Sequence, residues 1–493
     1  MYVRKIKSRN STCFQIVKKT NGKVVLIKHI GCAINPEEIE ALHQKAKLEC
    51  ENLKFESQLS LFPTVKSDLK AILSNWRITG FHQVFGHVYD SIGFPNNALR
   101  DLTVARIVYP KSKLTTIRYL DQYLGISVQK DKVYRFLDTL QKDELTRIAF
   151  DFVSKKNNGI ALIFYDVTTL YFKADEEDDL RKRGYSKDHK NELPQIVFGI
   201  FVDKDGYPFD FDFYEGNTFE GHTFPKAIKA LTIKYQFDDL VVVADAGMLS
   251  EKNISFLETE NLSYIVGARL KVMSAEFKKQ IFAHDFTKNP TMDIVCTSKE
   301  KESEKKRIIV NYSEKRAKKD SYNRDKLIKS LELKLASKKE VIRKNKYLLI
   351  ENKGDIIGID KDKIEEDKNY DGLKGYWTNL KSEIKPTDII EQYNNLWKVE
   401  KAFRMSKSDL RERPIFHRKL NRIRGHLLLC FCSLLVMKET ERLLSPIEIS
   451  LIKAIELLGK VGEGEMTIGK IKMPIESELD PKVKAVLKMI LGH

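Results

Sequence analysis

The sequence predicts a mixed α/β protein, a sheet of apolar strands flanked by helices, and three observations predict it. Residues 160–165 (IALIFY) form a short apolar run of strand length that ends at Asp166. Residues 195–202 (QIVFGIFV) and the alternating 209–214 lie either side of the turn Gly206-Tyr207-Pro208. A helical stretch at 224–235 and a second buried strand at 240–244 (LVVVA), ending at Asp245, follow. Thr387 or Asp388 then caps a long helix that runs through Met405, and a very apolar helix covers about 420–443. The order is strand, strand, strand, helix, strand, with an acid at two strand ends.

Residues 1–58 read as a β hairpin followed by a helix. The runs 13–18 and 23–29 are separated by Thr20-Asn21-Gly22, and an Asn-Gly pair accepts the positive φ that a tight hairpin turn requires. Asn35 caps a charged helix that opens on Pro36. Residues 59–155 have a helical pattern. Within it, 114–123, the turn Leu124-Gly125-Ile126-Ser127 and 130–140 resemble a helix-turn-helix. The second helix carries Lys130, Lys132, Tyr134 and Arg135, types that reach phosphates and base edges. A plain helical hairpin with a solvated charged face accounts for the same pattern. The core itself comes in two parts, 156–270 and 386–445, separated by an inserted α/β module at 271–385. Residues 299–346 of that module are dense in Lys and Glu, with extended pieces after them. Residues 446–493 read as a helical C-terminal region, a candidate dimerisation element.

At 493 residues the chain exceeds one ordinary core. With 42% hydrophobic and 10% aromatic residues it is globular in composition. Its 86 Lys and Arg against 69 Asp and Glu leave a formal charge of +17, which favours a polyanionic partner, nucleic acid or an anionic membrane. The membrane alternative has little support. The first fourteen residues are charged, and the apolar run 427–437 (LLLCFCSLLVM) is well short of the ~20 residues that span a bilayer. The six cysteines are scattered, without a CxxC pair or zinc-ligand spacing, and are expected as reduced thiols.

Phosphodiester transfer needs an activated oxygen nucleophile in line with a leaving oxygen. Two divalent cations roughly 3.5–4 Å apart can hold both. Mg²⁺ prefers carboxylate and water oxygens, so a few acids converging on rigid elements suffice. Asp166 and Asp245, each following an apolar run, are candidates, although an Asp after a strand is commonly a turn or capping residue. Glu400 adds a third carboxylate. Tyr393, Glu400 and Lys407 recur at seven-residue spacing, along nearly one face of the expected helix, with Leu396 and Trp397 between.

The segment Tyr393-Asn-Asn-Leu-Trp-Lys-Val-Glu400-Lys-Ala-Phe-Arg-Met-Ser-Lys407 resembles the Tyr-x2-Arg-x3-Glu-x6-Lys signature of the DDE insertion-sequence transposases. FYDVTTLYF around Asp166 and VVVADAGMLS around Asp245 resemble that family's first and second acidic motifs. Arg413-Pro414-Ile415-Phe416-His417 and the apolar helix after it also fit, and the resemblance covers about 160–270 and 385–440. It implies an RNase H-like catalytic core with a β-rich insertion before the Glu-bearing helix. Asp166, Asp245 and Glu400 would be the catalytic residues and the ligands of two Mg²⁺ ions, with Mn²⁺ as a substitute. Tyr393 and Lys407 would contact DNA phosphate. The family's Arg is replaced by Leu396, with Lys398 and Arg404 as candidate substitutes. Trp377 is a candidate for stacking on an extruded base, beside the reading of a structural Trp. The resemblance further implies double-stranded DNA as partner, as transposon ends and target. It implies a homodimer in the synaptic complex, no membrane, and a bacterial cytoplasmic location at the nucleoid. A non-catalytic DNA-binding descendant and a stand-alone nuclease of the same fold are the competing readings. A haloacid-dehalogenase phosphatase fits poorly, because Thr168 stands where that family has its second Asp.

Overall fold

The computed structural model describes all residues except 9–10, 21, 60–70, 187, 238, 249, 298–304, 337–345, 351–355, 469–470 and 493. Asn21, half of the Asn-Gly turn, therefore lies outside the described residues, as does Leu249 of the second acidic motif. The chain divides into two compact units, one of Met1–Trp76 with Gly464–Ile475 and one of Arg77–Glu463 with Glu476–His493.

In the smaller unit, β1 (Tyr2–Lys7), β2 (Thr12–Thr20) and β3 (Lys23–Ala33) form an antiparallel meander against which α1 (Pro36–Leu59) packs. The expected hairpin is thus the second half of a three-stranded sheet. Cys13 and Cys32, directly opposite one another on β2 and β3, are joined in a disulfide, so the expectation of six thiols is corrected. Cross-strand register places their sulfurs together, which sequence spacing alone did not reveal. Next comes β4 (Ala71–Ile78), a strand where a helical pattern was expected.

The larger unit begins with α2 (His87–Ile92), α3 (Ala98–Val108), α4 (Lys113–Leu124), α5 (Lys130–Thr139) and α6 (Lys142–Asn157). Side-chain oxygens of Asn97 and Ser112 cap α3 and α4, and Gly125 ends α4 in the left-handed region at φ 64°. The sheet then enters with β5 (Leu162–Tyr171), β6 (Gln195–Asp203), β7 (Pro208–Glu215), α7 (Glu220–Lys234), β8 (Val241–Ala244), α8 (Glu251–Thr259) and β9 (Ser263–Ala268). β5 is antiparallel to β6 and β6 to β7, whereas β5–β8 and β8–β9 are parallel. The spatial order β7-β6-β5-β8-β9 is the RNase H-like arrangement.

The inserted segment contains α9 (Ala275–Ala283), β10 (Thr291–Thr297), β11 (Lys305–Tyr312), α10 (Glu314–Ala336), β12 (Leu348–Ile350), β13 (Ile356–Ile359), α11 (Lys361–Lys368) and β14 (Leu373–Thr378). Its strands β14, β11 and β10 continue the core sheet beyond β9, giving eight strands in the order β10-β11-β14-β9-β8-β5-β6-β7. Arg307 of β11, 2% exposed, fixes the way out of the insertion. Its guanidinium pairs with Asp293 at 2.6 Å and donates to the carbonyls of Lys381 at 2.6 Å and Ile384 at 3.1 Å.

The expected long helix is two helices, α12 (Pro386–Asn394) and α13 (Trp397–Arg404), followed by a wide turn at Met405–Asp409. At Asn394-Asn395 the backbone switches to i+3 bonding: Leu396 donates to Tyr393 and Lys398 to Asn395. Next, α14 (Leu420–Leu444) lies among α2, α3, α5 and α6. This helix, with the turn to Ile447, passes a membrane-span test by length and composition, and 78% of its apolar window is buried inside the protein. Close helix packing accounts for its composition. Gly425 brings α14 against α5, since a Cβ there would collide with the Leu137 carbonyl. The C-terminal region is mixed rather than helical: α15 (Leu451–Leu458), β15 (Gly462–Ile468), β16 (Ile471–Glu476) and α16 (Pro481–Leu491). β15 and β16 complete a small sheet with β4. Gly464 of β15 lies close against Trp76 of β4.

Candidate active site

Asp166 is not at the end of its strand. β5 runs on through Val167, Thr168 and Thr169 because β-branched residues continue the ladder with β6, where Asp166 faces Ile200. The parallel ladder with β8, however, stops at Tyr165↔Ala244. Asp166 and Asp245 are thus each the first residue beyond that pair, on strands roughly 4.8 Å apart. Both carboxylates are held by the next backbone amide: Asp166 Oδ1 accepts from Val167 at 2.8 Å, and Asp245 Oδ1 from Ala246 at 2.6 Å. Asp166 is half-buried and Asp245 exposed.

Strand parity assigns a face to every neighbour. Tyr376 of β14 pairs with Gly267 of β9, in the row next to Asp245, and its ring meets Tyr393 of α12 at 4.9 Å, edge to face. Tyr393 is buried at 5% exposure and donates its hydroxyl hydrogen to Asp245 Oδ1 at 3.3 Å. Burial, and then the charge of Asp245, hold this phenol well above its usual range. Gly267 makes the arrangement sterically feasible: a Cβ there would run into the Tyr393 hydroxyl and stand 3.1 Å from Ala246. Tyr393, expected at a DNA phosphate, contacts Asp245 within the fold.

Glu400 is exposed in the first turn of α13, a helix that packs on β5 and β6, the Asp166 face of the sheet. The break at Asn394-Asn395 and the wide turn after Arg404 remove the single helical face on which Tyr393, Glu400 and Lys407 were expected. Lys407 falls in the wide turn, 14% exposed, with its ammonium 3.9 Å from Asp188. Leu396 is packed against the core. Lys398, a candidate substitute for the missing Arg, donates from its ammonium to the Lys204 carbonyl at 2.6 Å. Arg404 is exposed. Trp377 lies on the face of β14 opposite Tyr376, edge-on to Phe277 of α9, in a cleft with Ile254 and Arg269. That orientation turns it away from the carboxylates. Lys130, Lys132 and Arg135 are all exposed on α5.

The transposase DDE domain family matches residues 158–436. The chain belongs to this family. Solved structures similar to this transposase include the piggyBac transposase synaptic complex with hairpin DNA, at 11% identity over 77% of this chain and 76% of that one, with a TM-score of 0.37. Two others are the Mos1 mariner paired-end complex with Mn and a Mos1 paired-end complex with the left transposon end. The first has 11% identity over 32% of this chain and 46% of that one, with a TM-score of 0.16. The second has 10% identity over 46% and 68%, also with a TM-score of 0.16. These likenesses are loose. No curated protein matches the chain.

Two residues of the transposase near the carboxylates were not singled out from sequence. Lys374 of β14 lies over the Tyr393 ring at 4.4 Å and the Tyr376 ring at 5.5 Å. Burial, reinforced by Arg316, pushes its ammonium below the usual lysine range, and the charges of Asp245 and Glu400 oppose that shift. Trp397, 53% exposed, stands one helical turn before Glu400. The segment Glu215–Thr223, turn-rich in sequence, supports the site from behind. Asn253 Nδ2 bridges the carbonyls of Gly221 at 2.9 Å and Met248 at 2.7 Å, anchoring the loop after Asp245, and Tyr165 donates to Thr223 at 3.1 Å.

Among the described residues no three His, Cys, Asp or Glu side chains are grouped so that they could hold a metal ion, and neither Asp245 nor Glu400 makes an ion pair. The donor chemistry nevertheless fits a hard divalent cation. All donors are carboxylates, on a face open to water, and Mg²⁺ commonly takes only one or two carboxylates together with water and substrate phosphate.

Proposed function

We propose that this transposase cuts and joins double-stranded DNA at the ends of an insertion sequence, with Asp166, Asp245 and Glu400 as the carboxylates of the catalytic site. The observation that carries this reading is the register: both aspartates sit one residue past the last parallel pair Tyr165↔Ala244, on one face, with the Glu400 helix packed on that face. Two Mg²⁺ ions, or Mn²⁺ in their place, would be held by these three residues and would supply an activated oxygen nucleophile and charge compensation at the leaving oxygen. The chain's own contribution is positioning. The Val167 and Ala246 amides and the Tyr393 hydroxyl orient the two aspartates, so little reorganisation is required when DNA arrives. Lys374, close to Asp245 and Glu400, offsets part of their mutual repulsion before a cation binds. The +17 charge supports a DNA partner, and pairing of two DNA ends calls for a homodimer.

A cleavage and strand-transfer assay on inverted-repeat DNA with Mg²⁺ tests the reading. Asp166→Asn, Asp245→Asn and Glu400→Gln should each bind ends and fail to cut. Full activity in any of them removes that residue from the site, and end binding without cutting by the wild type favours the non-catalytic descendant.

A further inference from the structure

A second site lies apart from the carboxylates. A pocket of about 450 Å³ opens between the α3–α4 junction, α5 and the loop 411–417. Arg106, Lys111, Lys113, Arg411, Arg413 and His417 line it, and no lining residue is acidic. Lys113 is only 5% exposed and has no hydrogen-bond or ion-pair partner among the described residues. Arg106, also 5% exposed, donates to the carbonyls of Lys111 at 3.0 Å and Arg411 at 2.6 Å, and its Nε–H has no acceptor. Buried donors without partners are costly to a fold, and native proteins rarely keep them without a ligand or water to satisfy them.

The surrounding charges make that cost larger. Burial, and then Arg106, bring Lys113 down to about 7. Burial, and then Lys113, Arg422 and Arg106, bring His417 down to about 4, and His426 of α14 is lowered by burial and then by Lys113, Arg106 and His417. The nearby carboxyl of Glu412 lies behind this wall, bonded by the Ser406 hydroxyl, and its own burial pushes it up to about 7, while buried Cys430 is pushed up to about 11. Arg413 and Arg422 are compensated by Asp188 and Asp138, whereas Lys113 and Arg106 have no ion-paired carboxylate among the described residues. One wall is aromatic: Tyr134 meets His417 edge-on at 6.0 Å, and Phe416, 60% exposed, stands at the rim. Tyr134 is on α5 one turn after Lys130, and Lys132 and Arg135 are exposed on the same helix, so positive charge continues out of the pocket.

We infer that this pocket binds a phosphate of DNA, with Lys113 and Arg106 as donors to the phosphate and Tyr134 and Phe416 against the attached base. The inference rests on the reading of DNA as substrate and adds a second anchoring point to it. The basic track along α5 distinguishes a polymer from a free anion.

The test uses the full chain, wild type against Lys113→Met and Tyr134→Leu, with inorganic phosphate and a duplex oligonucleotide as probes. Phosphate should raise the wild-type melting temperature at pH 7 and leave Lys113→Met unchanged, and DNA should displace it. DNA affinity should fall about tenfold in Lys113→Met, with the log–log salt slope smaller by roughly one. Tyr134→Leu should lose about three- to tenfold without a change of slope, and it keeps the test open if Lys113→Met does not fold. Wild-type affinity and slope in both variants would overturn the pocket while leaving the carboxylate reading intact. Phosphate binding that DNA does not displace would make it a free-anion site and overturn the DNA assignment. Failure of the wild type to bind DNA at all would overturn the substrate reading and the assignment with it.

Discussion

Replacing Tyr393 with Phe separates two roles for this residue that sequence and structure assign differently. The ring stays: it is 5% exposed, seated edge-on to Tyr376, and Phe keeps every carbon of that contact. Only the hydroxyl goes, and with it the 3.3 Å bond to Asp245. Hydrogen bonds to charged groups contribute about 1.5–3 kcal/mol net. This one is longer than the usual 2.7–2.8 Å for O–H···O, and its acceptor is exposed, so water replaces part of it. A loss of about 1 kcal/mol follows, roughly fivefold. Because the bond orients a proposed metal ligand, the change should appear as an approximately fivefold rise in the Mg²⁺ concentration for half-maximal cleavage. The Kd for end DNA, read by fluorescence anisotropy, should not move. A weaker Kd with a shallower salt dependence and an unchanged Mg²⁺ requirement would refute the positioning role and restore a phosphate contact.

Four further outcomes follow from the geometry. Gly267→Ala places a methyl against the Tyr393 hydroxyl and Ala246; cleavage should fall at least tenfold with the circular dichroism spectrum retained, and full activity would show that Tyr393 can move at no cost. Lys374→Met removes a cation near Asp245 and Glu400, so half-saturation with Mg²⁺ should come at a roughly two- to fivefold lower concentration, checked in the same cleavage titration. Gly425→Ala drives a methyl into the Leu137 carbonyl and should cost on the order of 1–3 kcal/mol in urea unfolding. Lys113 has a folded pKa of about 7 against 10.5 when unperturbed. Between those values the unfolded chain holds the extra proton, so stability rises with pH across that window, while below it the whole penalty is present. Lys113→Met should therefore stabilise the protein by on the order of a few kcal/mol at pH 7 and flatten the rise toward pH 10, measured as urea midpoints.

Much of the core was legible because its signals are local. IALIFY, QIVFGIFV and LVVVA each mark a strand by composition, and the acids after two of them fall where register later brings them side by side. The small sheet was not legible for the opposite reason: β4 and β15 are far apart in sequence, and neither has a run strong enough to announce itself. The Cys13–Cys32 bond has the same origin, a pairing created by the β2–β3 register. The helix break at Asn394-Asn395 is subtler. Seven-residue spacing of Tyr393, Glu400 and Lys407 fits one straight helix, yet the actual backbone changes hydrogen-bond pitch between the first two and again before the third. Seven-residue spacing therefore implied side-chain directions that the backbone of this segment does not give.

Two of the three tryptophans, Trp377 and Trp397, show what parity adds. Trp377 was chosen from sequence as a base-stacking residue because it lies beside Tyr376 near the end of the insertion. In a strand, adjacency means opposite faces. Since Tyr376 pairs with Gly267 and meets Tyr393, Trp377 must look the other way, and it does, toward Phe277 and Ile254. Trp397 has the features Trp377 lacks: 53% exposure and a place one turn before Glu400, on a helix packed against the Asp166 face. An aromatic face contributes about 1–3 kcal/mol per stacked base, so Trp397→Ala should reduce cleavage of end DNA by roughly tenfold, while Trp377→Ala leaves it unchanged and lowers stability instead. The reverse pattern would mean that DNA approaches from the α8–α9 side of the sheet, and the three carboxylates would then have to be reached around its edge.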